Sequence, residues 1–138
     1  MINNILKKIV EEEWALAAYV FLPLLLILNI FGNEGIFFEE TFRFLSVLFN
    51  CGFSFTLLFS FIEFIQYSLL FFNEYGFNIF LIRILPFLMH FMFLFIQISG
   101  YRLYKKKNKI FYFILFYFIS LFIHGFYNNM FVNFLTRG

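Results

Sequence analysis

Four sets of polar residues recur at helical spacing in this chain, and each set carries groups able to move or hold protons. Glu39, Arg43, Ser46 and Asn50 are spaced four, three and four apart, and so are Thr56, Ser60, Glu63 and Tyr67. Arg83, His90 and Gln97 follow at seven and seven, then Ser120, His124 and Asn128 at four and four. Each set therefore lies along one face of a helix. Carboxylates and imidazoles that meet can act as general base and general acid, and an amide beside them can donate to an oxyanion. The surroundings make these groups costly. The chain has 138 residues, 63% of them hydrophobic, 13% charged and 28 of them Phe. A soluble domain is about 45–50% apolar and about 25% charged. This composition excludes a soluble globular domain, a disordered tail and a collagen-like chain, and leaves an integral membrane protein.

The elements that must position the stripes follow from where the apolar runs break. Residues 1–13 read as an amphipathic lead-in, with Ile2, Ile5, Leu6, Ile9 and Val10 at helical spacing. A first span runs roughly from Trp14 to Phe31 and ends at Gly32-Asn33-Glu34-Gly35. Lys7 and Lys8 precede it as in a signal sequence, but Ala15, Ala17 and Ala18 lie at its start, so the reading is an uncleaved span. The next apolar run, Ile36 to Phe72, would be roughly 55 Å long as one helix, against a hydrocarbon core of about 30 Å. Asn50-Cys51-Gly52 offers a turn inside it. A straight helix would also hold Glu40 and Glu63 about 35 Å apart, whereas a fold-back there lets both face one cavity. Asn73-Glu74-Tyr75-Gly76 ends this run. A further span covers roughly Phe77 to Tyr101, with Pro86 expected to kink it before His90. The basic loop 102–109 follows, and a last span runs from about Ile110 to Leu135.

The expected fold is a single all-α domain over residues 1–138, a polytopic membrane helix bundle of four to five segments with a break near Asn50-Cys51-Gly52. Five segments put Lys7, Lys8, Arg102, Lys105, Lys106, Lys107 and Lys109 on one side and Glu34, Glu74 and Arg137 on the other. The positive-inside rule then assigns the cell membrane, with a cytoplasmic N-terminus and a cytoplasmic 102–109 loop. The formal charge of +2 gives no reason to expect a nucleic-acid partner, and the single cysteine, Cys51, excludes an internal disulfide and a Cys-rich metal site.

Each candidate has a plainer role beside the chemical one. Glu39 and Glu40 also fit interfacial charges at a helix start, and Arg43 fits an i+4 partner of Glu39. Glu63 and Arg83 fit a buried pair, Tyr67 an aromatic-belt residue, and Asn128 a helix-to-helix hydrogen bond. His90 and His124 each fit a neutral, hydrogen-bonded core residue. Two mid-span histidines, both in polar stripes, favour a site over that reading.

The ordered motifs carry a resemblance. They are Glu39-Glu40-Thr41-Phe42-Arg43; Gly52-Phe53 followed by Glu63 and Tyr67; Arg83, Pro86 and His90 followed by Gly100-Tyr101; and His124-Gly125-Phe126-Tyr127-Asn128. In this order they resemble the PrsW-type intramembrane proteases, which are related to the CAAX-prenyl-protease and bacteriocin-processing membrane proteases. The resemblance covers about residues 39–130. Arg43 stands where that family usually has Lys, and Phe64 where it usually has Asn. The resemblance implies hydrolysis of a peptide bond in a membrane-anchored protein or peptide, without a cofactor. It implies Glu39 or Glu40 as general base and Arg43 holding the other glutamate. His90 would position the water or pass its proton to the leaving amine. His124 and Asn128 would stabilise the oxyanion, and Glu63 and Tyr67 would line the site beside Arg83. On this topology the site lies in the outer half of the bilayer.

Three other readings stay open on the residues. Glu63, His90 and His124 could be three ligands of a zinc ion with an open position for water. The stripes could instead be hydrogen-bond networks of a non-catalytic membrane scaffold. A small transporter component is the third.

Overall fold

In the structure, a computed structural model, residues 11–21, 23–24 and 35–136 are described. The chain is a helical bundle, and no strand occurs among the described residues. Residues 11–21 are helical and close with a π-helical turn at Ala17–Phe21. The lead-in before residue 11, most of the expected first span after Phe21, and the Gly32–Glu34 break lie outside the described residues. Then come α1 (Gly35–Leu48), α2 (Gly52–Leu70), the single turn α3 (Phe72–Tyr75), α4 (Asn78–Lys107) and α5 (Ile110–Thr136). Three described helices, α2, α4 and α5, are long and apolar enough to cross a membrane. With 14 residues, α1 measures about 21 Å and falls short of a straight span.

The break between α1 and α2 falls at the expected place, and its bonds explain it. The Cys51 N–H reaches back to the Ser46 carbonyl at 2.8 Å, and the Asn50 N–H to Val47 at 3.2 Å. That pair of bonds is a Schellman motif, which needs a left-handed residue at its second-last position. Asn50 fills it with φ +58, and Asn tolerates that region better than other residues with a Cβ. Gly52 then opens α2.

Two expected boundaries are corrected. Asn73-Glu74-Tyr75-Gly76 is not simply a loop: Phe72–Tyr75 forms one helical turn, closed by Gly76 at φ +56 with its N–H on the Phe72 carbonyl. The basic stretch is mostly not a loop either, because α4 continues through Lys107. Lys105, Lys106 and Lys107 occupy its last turn, where cations oppose the negative end of the helix dipole. Asn108 stops the helix in the left-handed region, its N–H on the Tyr104 carbonyl at 2.7 Å. Only Asn108 and Lys109 join α4 to α5. Pro86 lies inside an α4 that remains helical on both sides of it.

The two long helices α4 and α5 form an antiparallel hairpin, with α2 on another face of α4. Helix α1 packs on α2, α4 and α5, while the α2 and α5 backbones do not approach each other among the described residues. Apolar packing holds α1 near the α4–α5 turn. Phe44 of α1 stacks on Phe113 of α5 at 3.9 Å, and Val47 packs with Leu94 and Phe113. Phe42, Cys51, Phe55 and Phe59 make a second cluster against Ala17. Many remaining Phe, Leu and Ile side chains point outward, Leu69, Leu81, Phe95 and Phe122 among them. On a bundle of membrane-spanning helices that is a lipid-facing surface.

Gly100 sets how closely α4 and α5 approach. A Cβ at Gly100 would lie 2.4 Å from the Phe116 Cβ and 3.2 Å from the Tyr112 carbonyl oxygen. Small residues serve this purpose in membrane bundles, where close backbone contact replaces the hydrophobic effect between helices. Gly100→Ala is expected to lower stability by about 1–3 kcal/mol, because the obstructing atom is attached to the α5 backbone and cannot swing away. A thermal melt of the detergent-solubilised variant checks this; an unchanged or higher midpoint would contradict it.

Candidate active site

The four polar stripes bring members of each to a common interior, while Asn50 and Tyr67 at the ends of two of them are exposed. Helix α1 supplies Glu39, Glu40 and Arg43, α2 supplies Glu63, α4 supplies Arg83, His90 and Gln97, and α5 supplies Ser120, His124 and Asn128. Glu40 and Arg43 are completely buried. Ionised groups at such depth must find partners, and their partners are one another.

Glu40 is the hub. Its Oε1 accepts from Arg43 Nη1 and from His124 Nδ1, the latter at 2.8 Å. Its Oε2 accepts from Gln97 Nε2 at 2.6 Å and from Ser120 Oγ. Two of these donors come from α5, one from α4 and one from the next turn of α1, so one carboxylate ties three helices together. With four donors on its two oxygens, the acceptor capacity of Glu40 is used. Gln97 and Ser120 lie ten residues from the α4 and α5 ends at the basic turn, or about 15 Å. Since α1 begins only five residues before Glu40, it reaches about midway through the bundle.

Arg43 extends the network. Its Nη2 donates to His90 Nδ1 at 2.9 Å, and its guanidinium lies over the Phe93 ring at 5.6 Å. An arginine has no acceptor, so His90 Nδ1 must be the bare nitrogen and Nε2 must carry the hydrogen. That Nε2–H donates to Glu63 Oε2. Both nitrogens of His90 are thereby engaged, and a line of bonds runs Glu40–Arg43–His90–Glu63. Arg83 Nη2 stands 3.6 Å from Glu63 Oε1.

His124 closes the other side. Its Nδ1 is held by Glu40, its ring stacks on Phe93 at 4.5 Å, and the His90 ring meets it edge-on at 5.8 Å. The tautomer follows here too: a carboxylate only accepts, so Nδ1 carries the hydrogen. Nε2 points toward Glu39, whose Oε2 is 3.6 Å away. Glu39 forms no hydrogen bond among the described residues, and its side chain keeps 13% of its exposure. The adjacent glutamates thus differ sharply. Glu40 is saturated with donors, while Glu39 faces an imidazole at 3.6 Å, beyond the normal length of a direct hydrogen bond.

The remaining candidates lie around this centre. Asn128 is half-buried, one turn along α5 from His124. Tyr67 is exposed, and its ring receives the Arg83 guanidinium at 4.5 Å, so it lies beside Arg83. Gln97, Ser120 and Phe93 belong to the site as well. The first two stand in the polar stripes, where their spacing marks them. Phe93, three residues after His90, carries no signal that separates it from the other phenylalanines. Glu63, His90 and His124 are not grouped as a metal site: Glu63 and His90 bond to each other, and among the described residues no three ligating side chains are grouped to hold a metal.

The fold and site define a class: a polytopic membrane helix bundle with a buried, ionised, hydrogen-bonded centre. Compared with models of known protein families, with curated proteins and with solved structures, the chain matches none.

Proposed function

We infer that this chain is an intramembrane peptidase that hydrolyses a peptide bond of a membrane-anchored protein or peptide, with Glu39 as its general base. The observation that carries the reading is the asymmetry of the glutamate pair. One carboxylate anchors the bundle, and the other stands without a hydrogen bond opposite His124 Nε2 at 3.6 Å. The resemblance of the four ordered motifs to PrsW-type proteases supports it.

In this scheme a water sits beside the pair and donates to both the Glu39 carboxylate and His124 Nε2. Glu39 takes a proton from the water as its oxygen attacks the scissile carbonyl carbon. The oxyanion that develops accepts a hydrogen bond from the Asn128 amide. Collapse breaks the C–N bond, and the proton held by Glu39 passes to the leaving nitrogen. Glu40 fixes the His124 tautomer through Nδ1. His90, with both nitrogens engaged, acts as a positioning residue that keeps Arg43 and Glu63 in place.

The proposed setting is the cell membrane, with the N-terminus and the basic end of α4 on the cytoplasmic side. Glu13 and Arg102 line one cavity of ≈ 690 Å³, and their shared end of the bundle supports the five-segment arrangement. The saturation of Glu40 also suits a scaffold of the same architecture without catalysis. Purified protein in phosphatidylethanolamine–phosphatidylglycerol liposomes, given a panel of single-pass model substrates, separates the two. Cleavage that persists with a zinc chelator is the expected result. No cleavage by folded protein would leave the scaffold reading, and cleavage lost on chelation would overturn the metal-free scheme.

A further inference from the structure

Arg83 is 7% exposed, yet none of its N–H groups makes a hydrogen bond among the described residues. Its Nε is buried without a partner. Its Nη2 is 3.6 Å from Glu63 Oε1, close enough for charge attraction and too far for a hydrogen bond of normal length. The guanidinium bridges two helices that otherwise stay apart, 4.5 Å from the Tyr67 ring of α2 and 5.9 Å from the Phe131 ring of α5. A second orphan lies at the same height. The Tyr127 hydroxyl is buried with no partner, and its ring stacks on Phe131 at 5.8 Å. Tyr127 and Phe131 line a groove between α5 and α4, whose α4 side is Leu81, Ile82 and Leu85; Phe131 is also the ring that the Arg83 guanidinium faces.

Buried donors without acceptors are rare and destabilising, and they call for an explanation. Glu63 already balances the charge of Arg83, so the missing partner is a neutral acceptor and not a second anion. A peptide whose bond is to be cut supplies such acceptors. Within a membrane its carbonyls are satisfied by its own helix, and unwinding the helix around the scissile bond exposes them in an apolar medium. Arg83 connects to the reacting centre through Glu63 and His90, whose ring meets that of His124.

We propose that Arg83 Nε and the Tyr127 hydroxyl form a docking site, where α5 packs on α4, for backbone carbonyls of the unwound substrate segment. The proposal rests on the peptidase reading and names how that substrate is held. Arg83 and Tyr127 bind and touch no reacting atom, so their effect falls on affinity for a broken helix.

The test uses two fluorophore-labelled single-pass peptides in phosphatidylethanolamine–phosphatidylglycerol liposomes. One is a continuous Leu-Ala helix, and the other carries an Asn-Pro break at its centre. Binding is read by energy transfer to labelled protein in the Glu39→Gln background, so that cleavage does not follow capture. The unmodified site is expected to bind the broken peptide roughly five to tenfold more tightly, the range of one or two net hydrogen bonds. Tyr127→Phe keeps the ring stack and removes the hydroxyl. Arg83→Lys keeps a cation beside Glu63 and removes the Nε–H. Each is expected to lower the preference at least threefold, and the double variant to abolish it, with unchanged melting. An equal affinity for the two peptides, no binding of either, or a preference that survives both substitutions in folded protein would overturn the proposal. Cleavage by the unsubstituted protein is scored separately, so failure of the peptidase reading and failure of this site give different results.

Discussion

Glu39→Gln is expected to slow cleavage by about 10²–10⁴-fold, the usual contribution of a general base, with no change in melting temperature. The substitution is nearly isosteric, and Glu39 has no hydrogen bond to lose among the described residues. The same change one position later should behave differently. Glu40→Gln replaces an acceptor-only carboxylate, already holding Arg43, His124, Gln97 and Ser120, with an amide whose NH2 group cannot accept. At least one oxygen's worth of donors loses its acceptor, around a side chain that is completely buried. Each buried donor left unmade costs about 1–3 kcal/mol, more for a charged one. The expected pattern is therefore an inactive, well-folded Glu39→Gln and a Glu40→Gln that melts markedly lower. Cleavage rates and melts on the same preparations read both properties. An active Glu39→Gln beside a stable, inactive Glu40→Gln would move the base to Glu40.

Arg43→Met should have the largest effect on stability, about 3–5 kcal/mol, the cost of leaving a buried charge without its partner. Methionine fills similar volume along the arginine stem, so the loss reports the guanidinium. Two bonds go at once: the ion pair to Glu40, and the hydrogen bond that holds His90 Nδ1 at 2.9 Å. Because α1 is only 14 residues long, these polar ties make up a large share of what holds it among α2, α4 and α5. Adding Glu40→Leu to Arg43→Met should recover part of the loss, since an ion pair replaced by apolar groups is often tolerated. Recovery should be incomplete, because His124, Gln97 and Ser120 then lack their acceptor. Unfolding titrations in mixed micelles would measure both variants. A single variant that loses under about 1 kcal/mol would place it with exposed ion pairs and show that α1 is held by apolar packing alone.

Much of this arrangement is legible in the residues. Spacings of three, four and seven assign Glu39, Arg43, Glu63, His90, Gln97, Ser120 and His124 to helix faces whatever the tertiary fold, because the helical period is a property of the backbone. The composition requires a membrane bundle, and ionised residues inside a bilayer must turn inward. The break at Asn50-Cys51-Gly52 is readable too, since Asn at a left-handed position and Gly beyond it are local chemistry. The helical turn at Phe72–Tyr75 and the extension of α4 through Lys107 are less readable. Polar and basic residues are common both in loops and in last turns, and caps such as Gly76 and Asn108 decide between them.

The roles of adjacent residues depend on the tertiary structure. Glu39 and Glu40 are indistinguishable in sequence, yet one holds four donors and the other none. Adjacent residues point about 100° apart around a helix axis, so the rotation of α1 about its axis decides which carboxylate reaches Gln97, Ser120 and His124. That rotation, and the axial register that sets Phe93 under His124 and Arg83 between Tyr67 and Phe131, come from long-range contacts. Gly100 against Phe116 and Phe44 against Phe113 are two of them. The sequence by itself determined which residues must be turned inward, because the period and the cost of charge in lipid are local. Only the tertiary structure decided which of them meet, because that depends on how separate helices are rotated and slid against one another.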